Sequence, residues 1–344
     1  MRICVRSFAK INLGLRIGAL RDDGFHELRT VYQTIALHDI IRVQVVRGSG
    51  IEIRCDDPQV PTDASNTCYR IVERAMAALQ ARGRVVIEIE KRLPVQGGLG
   101  GASSNAVATM LALERALKKE LAGPEKFRIA AEIGSDLPLF LIGGTVLGVG
   151  HGEEVYPLPD LPEMPCVVAT PEIGISTPQA FRDWDERCSA GIPARVRAGT
   201  VRPRASRAKL TASSPSDRMM GVGVAISAWL NPPNNAKFKK HLSGVSAVGR
   251  GRAESPLLDL DRTGIENDFE QVVFPQYPEL REVKRVLERG GAFYASLSGS
   301  GSAIYGLFAT RAMAAKAAAK LRETGVEAQV SSTLTRRHCW KEDF

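Results

Sequence analysis

Between Pro94 and Asn105 the chain reads Pro-Val-Gln-Gly-Gly-Leu-Gly-Gly-Ala-Ser-Ser-Asn, and few backbone paths accommodate it. Ahead of it Val85, Ile87 and Ile89 alternate with Val86, Glu88 and Glu90, the period of a strand. Behind it, over 103–118, Ala106, Met110, Leu113 and Leu117 recur at helical spacing, and Val107 and Leu111 widen the same apolar stripe. A strand must therefore pass into a helix through Gly97, Gly98, Leu99, Gly100 and Gly101. Glycines let the backbone turn where a side chain would clash and let it approach a ligand closely. Ser103, Ser104 and Asn105 fall in the first helical turn, where backbone N–H groups lack partners and the helix dipole is positive. That combination is an anion site, and phosphate is its usual occupant.

The common phosphate loops do not fit. A Walker loop ends in Gly-Lys-Ser/Thr, and no lysine lies between Lys91 and Lys118. A dinucleotide fingerprint needs a third glycine where Ser103 stands, and normally opens the first βαβ unit of its chain. A flexible turn before a helix remains the plain alternative. The serine pair after the glycines favours phosphate.

At 344 residues the chain is long enough for two domains, and 44% hydrophobic with 24% charged residues is ordinary globular composition. No apolar run approaches the ~18 residues needed to span a bilayer. The opening Met-Arg-Ile-Cys-Val-Arg begins like a strand, without the apolar centre of a signal peptide. Cys4, Cys55, Cys68, Cys166, Cys188 and Cys339 are scattered, which argues for free thiols in a reducing cytoplasm and against a zinc site. The net charge of +8 invites a nucleic-acid reading, but residues 187–218 hold eight Lys/Arg against one acid, Asp217, leaving about +1 elsewhere.

Residues 1–20 read as a strand in which Ile11, Leu13, Leu15 and Ile17 alternate with Asn12, Gly14 and Arg16, closed by an Arg21-Asp22-Asp23-Gly24 turn. Lys10, between Ala9 and Ile11, either extends its amine to water along a packed stem or has a buried partner. Phe25-His26 after the turn is either loop packing or a ligand contact. Further strands are expected at 40–47 and 51–55, and a helix at 66–81 with Asn66 as N-cap. Asp136, in Gly134-Ser135-Asp136-Leu137-Pro138, has apolar neighbours that make a carboxylate costly unless paired; taken alone it reads as an N-cap. Residues 164–170 look like the first strand of a second unit, with Pro171–Phe181 as a following loop. From 188 to 220 apolar periodicity vanishes, and the segment reads as a disordered basic insertion. A nucleic-acid arm is disfavoured, because no aromatic is interleaved for stacking between Trp184 and Trp229. Order resumes near 225. A helix at 278–289, strands at 292–297 and 303–308 around a Ser298–Ser302 turn, a helix at 311–322 and a strand at 326–331 suggest a ferredoxin-like α+β unit. Arg336-Arg337-His338 reads as a solvated tail.

The order of these stretches, Ala9-Lys10-Ile11-Asn12-Leu13, Asp23-Gly24-Phe25-His26, the glycine loop, Gly134-Ser135-Asp136, Gly150-His151-Gly152-Glu153, Asn267-Asp268-Phe269-Glu270 and Ser298-Gly299-Ser300-Gly301-Ser302, resembles the GHMP kinase superfamily over 1–182 and 225–335. The resemblance implies an α+β, two-domain fold: a domain like ribosomal protein S5 domain 2 over 1–158 and a ferredoxin-like domain over 159–335. It implies an ATP- and Mg²⁺-dependent small-molecule kinase, with Pro94, Gly97, Gly98, Leu99, Gly100, Gly101, Ala102, Ser103, Ser104 and Asn105 around the ATP phosphates. Lys10 would supply positive charge and Asp136 the general base. The early Lys10 and Gly24-Phe25-His26, with Gly134-Ser135-Asp136, point within the superfamily to a branch whose acceptor is a cytidine diphosphate-linked methylerythritol of non-mevalonate isoprenoid synthesis. Its cytosine would meet Phe25, His26 and Phe181, with Asn12 nearby. That branch usually carries tyrosine at position 25, so Phe25 keeps the stacking face and loses a hydroxyl. Ala102 stands where glycine is common, and Asn105 offers Mg²⁺ no negative charge, so no protein ligand for the metal is named.

Other superfamily kinases, acting on mevalonate, homoserine or a sugar, are the nearest alternative; an RNA-binding S5-like module would have to use the basic segment, and the nearly neutral remainder argues against it. Residues 188–220 are either a true insertion or a reading frame shifted and restored near 225. Peptide mass mapping of the native protein separates the two: recovery of peptides with this sequence establishes the insertion.

Overall fold

The computed structural model describes residues 1–95, 97–190 and 266–340. Strand β1 (Arg2–Leu20) turns at Gly24 into β2 (His26–Val46), and the two pair antiparallel from Arg2↔Gln44 to Leu20↔His26. The other edge of β2 takes β4 (Arg84–Glu90) along Ile40–Val46 and β5 (Thr145–Gly150) along Leu28–Gln33. Strand β3 (Ile51–Cys55) is parallel to β4, and β6 (Glu154–Pro157) closes the far edge against β5. Helices α1 (Thr67–Ala78), α2 (Gly101–Leu117) and α3 (Gly123–Ile133) follow their apolar stripes: Ile71, Met110, Leu113 and Ile129 pack with Ile41, Val43, Val85 and Ile87 of the sheet. A short α4 (Leu137–Phe140) begins after Asp136.

The second sheet has the order β10-β7-β9-β8, antiparallel throughout, from β7 (Pro165–Ala169), β8 (Tyr294–Leu297), β9 (Ile304–Leu307) and β10 (Ala328–Ser332). Helices α5 (Thr177–Ala190), α6 (Glu270–Gln276), α7 (Pro278–Arg289) and α8 (Arg311–Glu323) complete it. This is the ferredoxin-like arrangement expected, and the α+β, two-domain fold class holds.

The two sheets share a core. Ala9, Ile11, Leu13, Val31 and Ile35 of the first pack with Cys166, Val168, Tyr305 and Leu307 of the second. Tyr305 donates its hydroxyl to the Asn12 carbonyl at 2.7 Å, and Tyr294 donates to the Leu13 carbonyl. Five successive residues of β1, Ala9 to Leu13, are therefore buried on both faces. Register shifts at Phe8/Ala9 and Asn12/Gly14 bracket that stretch; bulges of this kind re-aim side chains within a strand.

Asn267 and Asp268 form a second joint. Asn267 donates its amide to the Leu297 and Gly299 carbonyls at 2.9 and 2.7 Å. The buried Asp268 carboxylate accepts from Arg16 Nη1 at 2.7 Å and the Ile17 N–H at 2.9 Å, and the Asp268 N–H donates to the Leu15 carbonyl. Strand β1 and the second Gly/Ser turn are thus tied to consecutive residues.

Several expectations need correction. Residues 177–181 are helix, not loop: the Ala180 N–H bonds the Ser176 carbonyl, Pro178 sits in a first turn that tolerates it, and Ala180, Phe181, Trp184 and Cys188 supply the apolar stripe. That helix carries 188–190, so order extends past the expected break; residues 191–265, including the rest of the basic run and the expected resumption near 225, lie outside the described residues. Arg336-Arg337-His338 is no tail but part of α9 (Arg336–Cys339), where the Arg336 guanidinium donates to the Leu158 and Thr145 carbonyls and its N–H to Asp160. Helix α2 begins at Gly101 rather than 103.

The buried Arg16–Asp268 pair gives a stability expectation. Asp268→Ala should lose about 2–4 kcal/mol in urea unfolding, because it removes the nearer of Arg16's two carboxylates, the other being Glu266 at 3.8 Å, and leaves the buried Ile17 N–H without this acceptor. Asp268→Asn keeps an acceptor for that N–H and should lose less.

Candidate active site

The glycine loop is held at its stems by one carboxylate. Buried Asp39 accepts from the Arg92 and Leu93 N–H groups at 2.7 and 2.8 Å, from Lys91 Nζ at 2.8 Å and from Asn105 Nδ2 at 2.9 Å. Chain entering the loop and helix leaving it are fixed to the same pair of oxygens. Midway, the Lys10 N–H donates to the Leu99 carbonyl at 2.9 Å, and Leu93 and Leu99 are buried beneath.

Gly100, at φ +69°, is the N-cap of α2, and the first helical bond runs from Ser104 N–H to its carbonyl. The N–H groups of Gly101, Ala102 and Ser103 therefore lack helical partners and point from the dipole's positive end. Gly98, at φ +76°, meets the second glycine turn backbone to backbone: a Cβ there would lie 2.1 Å from the Ser298 carbonyl oxygen. Ser298 Oγ donates to the Gly98 carbonyl at 2.9 Å, and the Ala303 N–H to that of Gly97 at 3.2 Å. The glycine loop and the last motif of the chain thus build one loop pair.

Lys10 and Asp136 meet beside that pair. Lys10 Nζ lies 3.5 Å from Asp136 Oδ2 and donates to Asn12 Oδ1 at 2.7 Å; its side chain is 4% exposed, that of Asp136 34%. Asn12 donates to Thr30 Oγ1 at 2.7 Å, and Thr30 to the Gly14 carbonyl at 2.8 Å, so the acceptor oxygen of Asn12 is turned toward the lysine. Tyr32 donates to Asp136 Oδ1 at 3.1 Å, and its ring centre lies 5.5 Å from the ammonium. Burial, with the Asp136 charge beside it, holds the Tyr32 hydroxyl well above its ordinary pKa, so it remains a donor. Asp136 occupies the residue before α4, but its side chain makes no cap bond. It faces the lysine and tyrosine instead.

Two cavities meet at the glycine loop, with Gly98 and Gly100 in both walls. One, of about 360 Å³, runs along the loop from Lys91 to Ser103 and Asn105 and past Val60 and Pro61. The other, of about 600 Å³, contains Lys10 and Asp136 at one side and Phe25, His26 and Phe181 in its wall. Phe181 stacks on His26, centroids 5.4 Å apart at 6°, and its edge meets Phe269. His26 Nδ1 donates to the Gly18 carbonyl at 3.0 Å; Nε2 lies 3.0 Å from Asp185 Oδ1 without hydrogen-bond alignment. Phe25 is 61% exposed at the rim.

Not every residue named from the sequence reaches a cavity in the same way. Asn12 borders the larger one, but its amide is committed to Lys10 and Thr30, which makes it a support for the lysine. The Ser104 hydroxyl accepts from Ser7 in the interior at 2.8 Å and lies outside both cavities. Asn105 spends Nδ2 on Asp39, leaving Oδ1 buried without a hydrogen-bond partner among the described residues. Tyr32, Asp39 and Lys91 have no role assigned from the sequence, and Asn267 stands there only within a family motif. Asp39, an acid between His38 and Ile40 in an apolar strand, carried the same signal of costly burial as Asp136.

Comparison with known proteins now bears on this geometry. The GHMP kinases N terminal domain pattern matches residues 66–144, and the GHMP kinases C terminal pattern residues 248–327. The chain is 35% identical over 307 residues to a 4-diphosphocytidyl-2-C-methyl-D-erythritol kinase of Solibacter usitatus, covering 89% of this chain and 81% of that protein. A protein of the same name from Acaryochloris marina is 32% identical over 91% of this chain and 89% of its own. Among solved structures, a 4-(cytidine 5'-diphospho)-2C-methyl-D-erythritol kinase superposes with a TM-score of 0.67 at 28% identity, over 96% of this chain and 99% of that one. Homoserine kinase from Cytophaga hutchinsonii superposes at 0.69 with 18% identity, over 97% and 95%, a likeness of fold alone.

The contact between the two glycine turns is directly testable. Gly98→Ala should weaken binding of a non-hydrolysable ATP analogue by roughly tenfold or more in calorimetry, about 1.4 kcal/mol. Gly123→Ala, where a Cβ meets nothing within 4 Å, should bind it as the wild type does.

Proposed function

The chain belongs to the GHMP kinase superfamily and, within it, to the 4-diphosphocytidyl-2-C-methyl-D-erythritol kinases, and from that premise we propose that it phosphorylates the 2-hydroxyl of 4-diphosphocytidyl-2-C-methyl-D-erythritol at the expense of ATP. The observation that carries the residue-level reading is the Lys10–Asp136 pair, standing where the two cavities meet at Gly98 and Gly100. Triphosphate along the loop and acceptor in the larger cavity would present their reacting ends to that pair.

Phosphoryl transfer asks for position and charge neutralisation more than for covalent chemistry. The N–H groups of Gly101, Ala102 and Ser103 bind phosphate oxygens from the end of α2. Lys10, fixed by Asn12, offers its ammonium to the transferring group in place of the missing Walker lysine. Asp136 takes the proton of the acceptor hydroxyl: one of its oxygens faces Lys10, the other Tyr32, and the side chain is open to the cavity. Both neighbours fix the orientation of the carboxylate in the cavity wall. The cytosine ring is assigned to the Phe25, His26 and Phe181 end of the larger cavity.

Mg²⁺ accompanies ATP in this reading and would neutralise the β- and γ-phosphates. The site fits a metal held mainly by the nucleotide: no group of three His, Cys, Asp or Glu side chains gathers among the described residues, and Asn105 Oδ1 is a buried oxygen beside the loop still in want of a partner. We assign the first domain to 1–158 and the second to 159–335. All six cysteines are free thiols, which supports a reducing compartment, and among the described residues no helix is long and apolar enough to cross a membrane.

A coupled ADP-release assay tests the proposal. The cytidyl acceptor should support turnover, whereas mevalonate, homoserine and sugars should not; turnover of homoserine alone would overturn it. Asp136→Asn should lower kcat by about 10²–10⁴-fold with nucleotide affinity little changed. Turnover within a few-fold of wild type would remove Asp136 as the base.

A further inference from the structure

The Gly150-His151-Gly152-Glu153 turn joins β5 to β6 and takes no part in the transfer described above. It nevertheless contributes His151 to the wall of the larger cavity, beside Phe25. The two rings are 4.8 Å apart at 39°. His151 Nε2 lies 3.1 Å from Asp23 Oδ2, and the other oxygen of Asp23 accepts the Phe25 N–H at 3.1 Å. One carboxylate therefore holds the backbone of Phe25 and the imidazole that packs on its ring.

The two sides of this contact differ in how firmly they are anchored. His151 is set by its own turn: its N–H donates to Glu153 Oε2 at 2.6 Å, and Gly150 and Gly152 flank it at φ +70° and +104°. The Gly152 N–H closes the turn on the Val149 carbonyl. The backbone of Phe25 is held within its own turn, its carbonyl accepting the Arg21 N–H at 2.7 Å, but its ring has no comparable hold. Its ring is largely exposed, Gly24 before it has nothing within 4 Å of a Cβ, and as phenylalanine it carries no hydroxyl to anchor. Arg21 and Glu27, the charged neighbours of Asp23 on this turn, bond each other at 2.9 Å, and Arg21 Nε also reaches Asp23 at 3.2 Å.

We propose that His151 is a positioning residue that determines acceptor recognition: it holds the Phe25 ring at the mouth of the larger cavity, ready to stack on an aromatic base, with Asp23 locking the two together. An aromatic contact lowers the cost of ordering an otherwise exposed ring before the ligand arrives. This rests on the assignment of that cavity to a cytidyl acceptor.

Steady-state kinetics on the full chain test it, with wild type, His151→Ala, His151→Phe, Phe25→Ala and the His151→Ala/Phe25→Ala double variant. His151→Ala should raise KM for the cytidyl acceptor about 5–10-fold, with kcat and KM for ATP within about twofold. His151→Phe keeps a ring against Phe25 and should recover most of the loss. The double variant should be no worse than Phe25→Ala alone, because both changes remove one coupled contact. An unchanged acceptor KM in His151→Ala overturns the inference, as does a fall in kcat alone or an additive double variant. A wild-type enzyme without turnover of the cytidyl acceptor would overturn the functional reading itself, and this inference with it.

Discussion

A single buried carboxylate holds the glycine loop in place. Glycines at 97, 98, 100 and 101 give the backbone freedom, and freedom alone would leave an unstructured span. Asp39 removes it by gathering four donors from both ends of the loop, two of them main-chain N–H groups. Such a group is costly to bury unless every lone pair is used, and here the loop itself supplies the partners. The same interaction orients Asn105, whose nitrogen must face the carboxylate and whose oxygen must therefore face elsewhere.

The proposed catalytic pair obeys the same logic. A lysine between alanine and isoleucine and an aspartate before leucine are each unfavourable in isolation. Burial of β1 on both faces, with bulges on either side, brings Lys10 to Asn12, Tyr32 and Asp136. Its ammonium is neutralised in part while Asp136 remains open to the cavity. A loop lacking its own lysine can thus rely on one delivered from a strand ninety positions earlier (roughly counted), provided the strand is immobilised as β1 is.

Much of the fold was readable because its apolar periods are clean. The stripe of α2, the alternation of β4 and the succession of elements from 278 onward all appear close to where their patterns place them. Strand β2 was legible only from about residue 40, because Thr30, Tyr32 and Thr34 interrupt its alternation; the hydroxyls of the first two serve the Lys10–Asp136 network, while the Tyr32 ring packs with Leu139 and Val146. The start of α5 was obscured by Ser176-Thr177-Pro178, which suits a turn and the first turn of a helix equally. In the site, chain order picked out Lys10, Asp136 and the glycines, whereas side-chain direction could not be read. Ser104 and Ser103 look alike in sequence, yet only a helical rotation separates the one that faces Ser7 from the one that faces the loop.

The phenols of Tyr294 and Tyr305 grip consecutive carbonyls of β1, and the two sheets bury one apolar layer between them. Nucleotide cannot then be admitted by swinging one half of the molecule away from the other as a clamshell, since that would tear the lysine-bearing strand from its bed. Entry and exit fall to small parts at the periphery, and the turnover cycle becomes one of local yielding around a stationary spine.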